Sequence, residues 1–307
     1  MDSLPTITKN ERLLALTACL LITFSMGTVH AFSTLIQNIE IQTNVGRMAS
    51  SLVYSVALVN VTLSVFFGHI LYRKFSPNSL IFLIAVLPII GLLFSSSQSW
   101  IGWMIGYGFL FGLSSGLGYG LSLFIVSSIT DREKLGYALG LVTASYAFGA
   151  VAFSMIYPFL FSHFGFIDGY VFGLLSLSLL VLISLALFKF SNARVDRSLN
   201  SNTQINSKKP KIIKLWFGYF LGVSAGLMAI GHAVPMIVSY GGSILTGITA
   251  ITLMTLGSAI AGIYAGWLVD QFGCKRPLII ILFINCFALL GLSVLTSINL
   301  IMTLLVI

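Results

Sequence analysis

The sequence predicts an all-α membrane protein built from two related bundles of six helices, with about nine complete spans and part of a tenth present. Three observations predict this fold class. The chain is 57% hydrophobic and only 8% charged, whereas soluble domains have roughly 25% charged residues. Apolar runs long enough to cross a bilayer as helices recur throughout the chain. One charged loop occurs twice, which indicates a repeated unit.

The first apolar run extends from Leu13 to about Ile36, after Lys9 and Arg12. It is too long for the h-region of a signal peptide, which has about 7 to 15 residues, so it predicts the first spanning helix. We number the predicted helices span 1 to span 10. The later runs predict spans at about 49–71, 78–96, 100–127, 136–160, 168–190, 213–238, 246–268 and 276–295, with a tenth beginning near Asn299.

A polar, basic segment at 191–212 interrupts the spans, and it has too little apolar surface to fold alone. It predicts a cytoplasmic linker between an N-terminal bundle, residues 1–190, and a C-terminal bundle, residues 213–307. The second bundle is incomplete by comparison with the first, and roughly 90 to 100 residues, or two and a half spans of about 20 residues with their loops, are missing.

The distribution of positive charge predicts the orientation. Of the 16 Lys and Arg residues, all but Arg47 fall on the side of the N-terminus. Cytoplasmic loops carry an excess of these residues. We therefore expect a multi-pass protein of the plasma (cell inner) membrane with a cytoplasmic N-terminus.

The repeated loop reads GWLVDQFGCKR at Gly266–Arg276, and a degenerate copy includes Phe75–Pro77. Span 1 aligns with span 7 at a slightly larger offset, which places His30 opposite His232. The extra residues that this offset needs fall in the predicted first external loop, around Asn38 to Met48. Insertions concentrate in loops in true repeats.

This loop resembles the signature cytoplasmic loop of the major facilitator superfamily, with Gly266, Asp270, Gly273, Lys275 and Arg276 at the family's positions. The resemblance implies the two-bundle fold of that family and transport by alternating access, by a chain that functions as a monomer.

Two further stretches resemble the branch of monocarboxylate porters and oxalate/formate antiporters. They are DREKLGYALGL at Asp131–Leu141 and GHAVPMIVSYGG at Gly231–Gly242. The branch often has an arginine in the eighth span, where this chain has Gly262.

We expect the loop from Gly266 to Arg276 to act as a gate. A carboxylate such as Asp270 can accept hydrogen bonds from the N-terminus of a neighbouring helix and pair with Lys or Arg. Gly266 would let two helices approach closely. The alternative is that these charges only keep the loop in the cytoplasm. That alternative is favoured for the first copy, where Arg73 or Tyr72 replaces the aspartate.

The spans have mild polarity and no Asp, Glu, Lys or Arg clearly at mid-membrane. His30 and His232 are the main candidates for substrate binding, because an imidazole can hold an anion or relay a proton. The alternative is that each histidine bonds a neighbouring helix. Tyr119, Tyr146 and Asn60 are further candidates, with packing as their alternative role.

The sequence offers no nucleophile beside a base and no phosphate-binding loop, so we do not expect an enzyme. The three cysteines are too few and too scattered for a metal site or a disulfide framework. We therefore expect no metal and no cofactor, and no nucleic-acid partner despite the net charge of +8. The expected partners are the lipid bilayer and a small-molecule substrate.

Three functions fit the sequence. The first is a secondary carrier of a small organic anion such as a monocarboxylate, working as a uniporter, a proton symporter or an antiporter. The second is a carrier of a neutral or amphipathic solute, including a nutrient or a drug. The third is a truncated relic or membrane sensor that does not transport.

Overall fold

A computed structural model describes residues 8–193, 236–294 and 297–306, with Val195 and scattered residues between 213 and 224. Every regular element within these residues is helical. Eight of the described helices are long and apolar enough to cross a membrane. The predicted all-α membrane fold is therefore confirmed.

The spans lie within a few residues of their predicted positions in most cases. Their bounds are Lys9–Gly27 continued by a 3-10 segment Thr28–Thr34 (span 1), Arg47–Lys74 (span 2), Pro77–Ser95 (span 3), Trp100–Ile129 (span 4), Leu135–Phe164 (span 5), Phe166–Phe190 (span 6), Ile244–Phe272 (span 8), Lys275–Val294 (span 9) and Ile298–Val306 (span 10). Most of span 7 and of the predicted linker 191–212 lies outside the described residues.

Local sequence determines several of the helix ends. Span 1 begins with a capping box, in which the Thr8 hydroxyl accepts from the Glu11 N–H and the Glu11 carboxylate accepts from the Thr8 N–H. Span 8 ends at Gly273, whose φ of +72° favours glycine and whose N–H donates to the Val269 carbonyl at 2.9 Å. The second glycine of the repeated loop is therefore needed for the turn into span 9.

The predicted first external loop is partly helical. A short helix, Ile36–Thr43, follows span 1 and ends at Asn44, which adopts the left-handed conformation with a φ of +53°. The Glu40 carboxylate on this helix pairs with the Arg47 guanidinium at the start of span 2. The connection between spans 1 and 2 is therefore an ordered turn.

Spans 1 to 6 share one continuous apolar core, and span 1 packs against spans 4, 5 and 6. Small residues let the helices approach. A Cβ atom on Gly112 would lie 2.7 Å from the carbonyl oxygen of Ala57 in span 2. A second, small core joins span 8, span 10 and Ile237.

Two spans contain non-α turns that touch each other. Span 1 becomes a 3-10 helix at Thr28–Thr34, and span 4 contains a π-helix at Met104–Phe111. The Tyr107 hydroxyl of the π-helix donates to the Val29 carbonyl of the 3-10 segment at 2.9 Å. Such irregular turns are frequent at functional sites.

Candidate functional site

One candidate site is the contact between spans 5 and 8. It lies at the end of the protein that we call the basic end, defined by Arg12, Arg73, Lys74, Arg132, Lys134, Lys275 and Arg276. Span 8 packs along span 5 more extensively than any other pair of described helices. This contact joins spans 1 to 6 to the later spans.

Asp270 connects the two helices through its carboxylate. Oδ1 accepts from the Gly136 N–H at 2.7 Å, and Oδ2 accepts from the Tyr137 N–H at 2.7 Å. These N–H groups belong to the first turn of span 5, where they have no partner within their own helix. A negative charge is also favourable at a helix N-terminus. Asp270 therefore caps a helix 134 residues away in sequence.

Glycines allow this close approach. A Cβ atom on Gly266 would lie well inside van der Waals distance of the Gly136 carbonyl oxygen. A Cβ atom on Gly140 would lie 2.6 Å from the carbonyl oxygen of Gly262, whereas a Cβ atom on Gly262 would have its nearest neighbour at 3.9 Å. The contact therefore requires glycine at 136, 140 and 266, and tolerates a larger residue at 262.

Lys275 and Arg276 begin span 9 and are exposed. Within the part of the chain that the structure describes, neither lies within ion-pair distance of a carboxylate. Asp270 is held by backbone N–H groups instead of the Lys or Arg that the sequence also suggested. Lys275 and Arg276 therefore take no part in the two hydrogen bonds by which Asp270 joins spans 5 and 8.

A second interaction at the basic end, an ion pair, was not predicted from the sequence. The Arg12 guanidinium pairs with the Asp131 carboxylate, and Nη2 of Arg12 donates to Oδ1 of Asp131 at 3.2 Å. Asp131 precedes the short 3-10 turn Arg132–Lys134 that leads into span 5. The hydrogen bond from Arg12 lowers the pKa of the Asp131 carboxyl. These two residues are far apart in sequence, and neither has a local pattern that indicates its partner.

The second candidate site is a group of imidazole, phenol and hydroxyl side chains on spans 1, 2, 4 and 5. Nδ1 of His30 lies 2.7 Å from the Tyr54 hydroxyl. The His30 ring lies edge-on to the Tyr146 ring, with centroids 5.4 Å apart. We call this group the aromatic-polar cluster, and its members are His30, Tyr54, Ser115, Tyr119, Thr143 and Tyr146.

The remaining contacts of the cluster run from span 4 to span 5. The hydroxyls of Ser115 and Tyr146 are 3.2 Å apart, and those of Tyr119 and Thr143 are 3.3 Å apart. The rings of Tyr119 and Tyr146 have centroids 4.9 Å apart. Hydroxyl groups and a neutral imidazole both donate and accept hydrogen bonds. None of the side chains in the cluster carries a permanent charge. The cluster can therefore bind a small polar solute through hydrogen bonds.

Each predicted binding residue can now be placed. His30, Tyr119 and Tyr146 lie together in the cluster, and His232 lies outside the described residues. Asn60 lies apart from them and is 8% exposed. Its amide donates to the Val56 carbonyl at 2.9 Å and to the Gly108 carbonyl at 3.3 Å. The Asn60 amide therefore joins span 2 to span 4.

Tyr54 was not predicted from the sequence to be a binding residue. It lies in the part of span 2 farthest from the basic end, as His30 lies in the part of span 1 farthest from the basic end. This similar position along the two helices was the only feature of the sequence that could have indicated that Tyr54 and His30 are close. The rotation of each helix about its axis, which decides whether the two side chains meet, is not evident from the sequence.

Solved structures show the same fold. The proton:xylose symporter XylE bound to 6-bromo-6-deoxy-D-glucose is 16% identical with a TM-score of 0.67, covering 99% of this chain and 79% of that chain. FucP in the outward conformation is 14% identical with a TM-score of 0.61, covering 96% and 82%. The inward-open xylose transporter XylE from E. coli is 16% identical with a TM-score of 0.53, covering 96% and 77%.

A comparison with curated protein sequences found no match. The family model described as Major Facilitator Superfamily matches residues 8–307, which is nearly the whole chain. With the helical architecture and the contact between spans 5 and 8 in place, this match shows that the chain belongs to the major facilitator superfamily of transporters.

Proposed function

We propose that the protein is a secondary active carrier of a small organic anion, such as a monocarboxylate, and that it works by alternating access. The aromatic-polar cluster is the observation that carries this proposal. It combines three kinds of neutral hydroxyl-bearing side chain with one imidazole, His30, which can accept a proton. We assign His232, opposite His30 in the repeat, to the same site.

The gate of this carrier is the contact at the basic end. Asp270 and the glycines of spans 5 and 8 join the two sets of spans through two hydrogen bonds and close backbone packing. These interactions can separate without exposing a buried ion pair. The positive-inside rule places the basic end in the cytoplasm of a plasma-membrane protein. In the conformation described here, spans 5 and 8 are in contact on that side.

The proposed carrier function also implies how transport is coupled and in which oligomeric state the protein works. We propose a carrier that functions as a monomer in the bilayer and couples its substrate to protons or to a counter-anion. Gly273 provides the turn after Asp270, and Lys275 and Arg276 hold that turn in the cytoplasm.

A carrier of a neutral solute is the second candidate. The cluster consists mostly of hydroxyl groups, which suit a polyhydroxylated solute as well as an anion. Two of the similar structures are described as a proton:xylose symporter and a fucose:proton symporter. The position at which the anion-transporting branch often has an arginine is Gly262 here.

Uptake by proteoliposomes containing the full chain distinguishes these functions. Labelled lactate, formate and oxalate are compared with labelled xylose and fucose, with and without a pH gradient. We expect saturable uptake of at least one carboxylate, inhibited by the others. Saturable uptake of a sugar without any carboxylate flux would establish the second candidate, and no saturable flux of any probe would contradict both.

A further inference from the structure

We propose that His30 is the group that accepts the transported proton and that Tyr54 is the residue that positions it. This inference rests on the proposed carrier function and adds the residue through which a proton gradient acts. It comes from four observations, namely the His30–Tyr54 contact, its fixed geometry, the groups around it and the backbone contact between span 1 and span 5.

The pair has a defined geometry. The Tyr54 hydroxyl is 2.7 Å from Nδ1 of His30, and the two rings are nearly perpendicular at 79°. The Tyr54 ring stacks on Phe32 with centroids 5.3 Å apart and an interplanar angle of 6°. Phe32 and His30 lie on the same 3-10 segment. Tyr54 is therefore held against the segment that carries its partner.

The groups that face His30 are phenols. Tyr54 contacts it from span 2 and Tyr146 from span 5, while Tyr107 of span 4 bonds the adjacent Val29 carbonyl. Among the described residues of these packed helices, no carboxylate or cation contacts the imidazole. The nearest charges in sequence, Glu40 and Arg47, pair with each other. Within the described part of the chain, His30 has no fixed counter-charge that would hold it in one protonation state, so its charge can change during transport.

The proton transfer needs only these two side chains and water. In the neutral state, Nδ1 of His30 accepts from the Tyr54 hydroxyl and Nε2 holds the ring hydrogen. A proton from water on the outer side adds to Nδ1, and the hydroxyl turns so that its oxygen accepts from the new N–H group. The positive charge of the imidazolium balances a bound carboxylate. Loss of the same proton to water on the other side restores the neutral pair.

Span 5 connects this pair to the gate. A Cβ atom on Gly27 would lie well inside van der Waals distance of the Tyr146 carbonyl oxygen, and Gly149 is equally close to the Phe24 carbonyl. The backbones of spans 1 and 5 are therefore in contact just below His30. The same span 5 begins at Gly136 and Tyr137, which bond Asp270. Span 5 therefore contacts both the segment that carries His30 and the gate.

The test compares three variants in proteoliposomes. His30→Gln keeps a hydrogen-bonding side chain that does not titrate, and Tyr54→Phe removes the hydroxyl. Tyr107→Phe is the matched control, because its hydroxyl bonds the same 3-10 segment at Val29 and its ring also contacts Phe32. Two activities are measured with labelled lactate, formate and oxalate. One is exchange at equal pH on both sides, and the other is accumulation driven by a pH gradient.

We expect His30→Gln to lose gradient-driven accumulation by about tenfold or more, because glutamine does not take up a proton. Exchange should weaken as well, because the charge that balances the bound carboxylate is absent. Tyr54→Phe should move the pH midpoint of accumulation down by about 0.5 to 1 unit, since a hydrogen bond stabilises the charged imidazolium more than the neutral ring. Tyr107→Phe should keep the wild-type midpoint.

Several results would overturn the proposal. Gradient-driven accumulation by His30→Gln would show that another group carries the proton. An unchanged midpoint in Tyr54→Phe would remove the positioning role, even if His30→Gln fails to fold. Exchange without gradient-driven accumulation in the wild type would reject the proton role and leave the carrier function standing. No exchange of any probe by the wild type would reject both.

Discussion

At the scale of single residues, Asp270 is the clearest link between sequence and mechanism. Its two carboxylate oxygens satisfy two N–H groups of the first turn of span 5, each at 2.7 Å. A carboxylate can accept both bonds and also interacts favourably with the helix dipole. No other side chain of this length provides two acceptors and a negative charge.

Replacing Asp270 with Asn should favour the state that is open at the basic end. Asparagine keeps one acceptor, presents an N–H group to the other donor and loses the charge. We expect a shift of about 1 to 2 kcal/mol, or roughly five- to thirtyfold in the equilibrium. Spin labels at Glu133→Cys and Gln271→Cys, with Cys274→Ser and Cys286→Ser, measure the distance across the contact.

The control for this measurement is Asp168→Asn. Asp168 lies in the first turn of span 6, at the end opposite the gate. Its replacement should leave the distance distribution unchanged. An unchanged distribution in Asp270→Asn as well would mean that the carboxylate does not stabilise the closed state.

At the scale of elements, glycines determine how closely spans 5 and 8 pack. The Gly136 carbonyl lies where a side chain at 266 would have to be, whereas the space beside Gly262 is larger. Both glycines lie on span 8, one turn apart. The same substitution at these two glycines, Gly262 and Gly266, therefore tests whether close packing requires glycine.

Gly266→Ala should separate the two helices, while Gly262→Ala should be tolerated. Forcing a methyl group against a backbone oxygen costs typically about 1 to 3 kcal/mol. The amide hydrogens of Gly136 and Tyr137 should then exchange faster with deuterium in Gly266→Ala, because their bonds to Asp270 open. Equal exchange rates in the two variants would contradict the packing described here.

The pair formed by Arg12 and Asp131 should make stability depend on pH. Because Arg12 lowers the pKa of the Asp131 carboxyl, the pair stabilises the folded state above the carboxyl's unfolded pKa. This contribution disappears as the pH falls through the lowered pKa. Both side chains are partly exposed to solvent, so the effect is small.

We therefore expect Asp131→Asn to lower the melting temperature by about 1 to 3 °C at neutral pH. The difference from wild type should vanish in acid, below the lowered pKa of the Asp131 carboxyl. Glu133→Gln, a neighbouring exposed carboxylate, serves as the control. A difference that persists unchanged in acid would assign the effect to something other than the ion pair.

At the scale of the whole molecule, the spans were predictable because hydrophobicity summed over a membrane thickness is a strong signal. Gly273 and Asp270 were predictable from the repeated loop. The 3-10 turn at Thr28–Thr34 and the His30–Tyr54 pair were not, because both depend on how helices rotate and pack. The hydrogen bonds of Asn60 depend on the same packing, since its amide donates to carbonyl groups of spans 2 and 4.

The predicted orientation can be tested with Cys274, which is exposed in the loop between spans 8 and 9. A membrane-impermeant maleimide added to intact cells should not label Cys274 if the basic end faces the cytoplasm, as the positive-inside rule predicts. Gly46→Cys, at the exposed start of span 2, should be labelled under the same conditions. Labelling of Cys274 from outside would reverse the assigned topology.

Counterflow tests the central claim, that this chain is an alternating-access carrier of a small organic anion. Proteoliposomes containing the full chain are loaded with unlabelled lactate, formate or oxalate and diluted into a trace of the same labelled anion. A carrier that exposes one site alternately to each side should accumulate label transiently above its equilibrium level for at least one anion. Entry that rises only to equilibrium, or no protein-dependent entry of any anion, would contradict the claim.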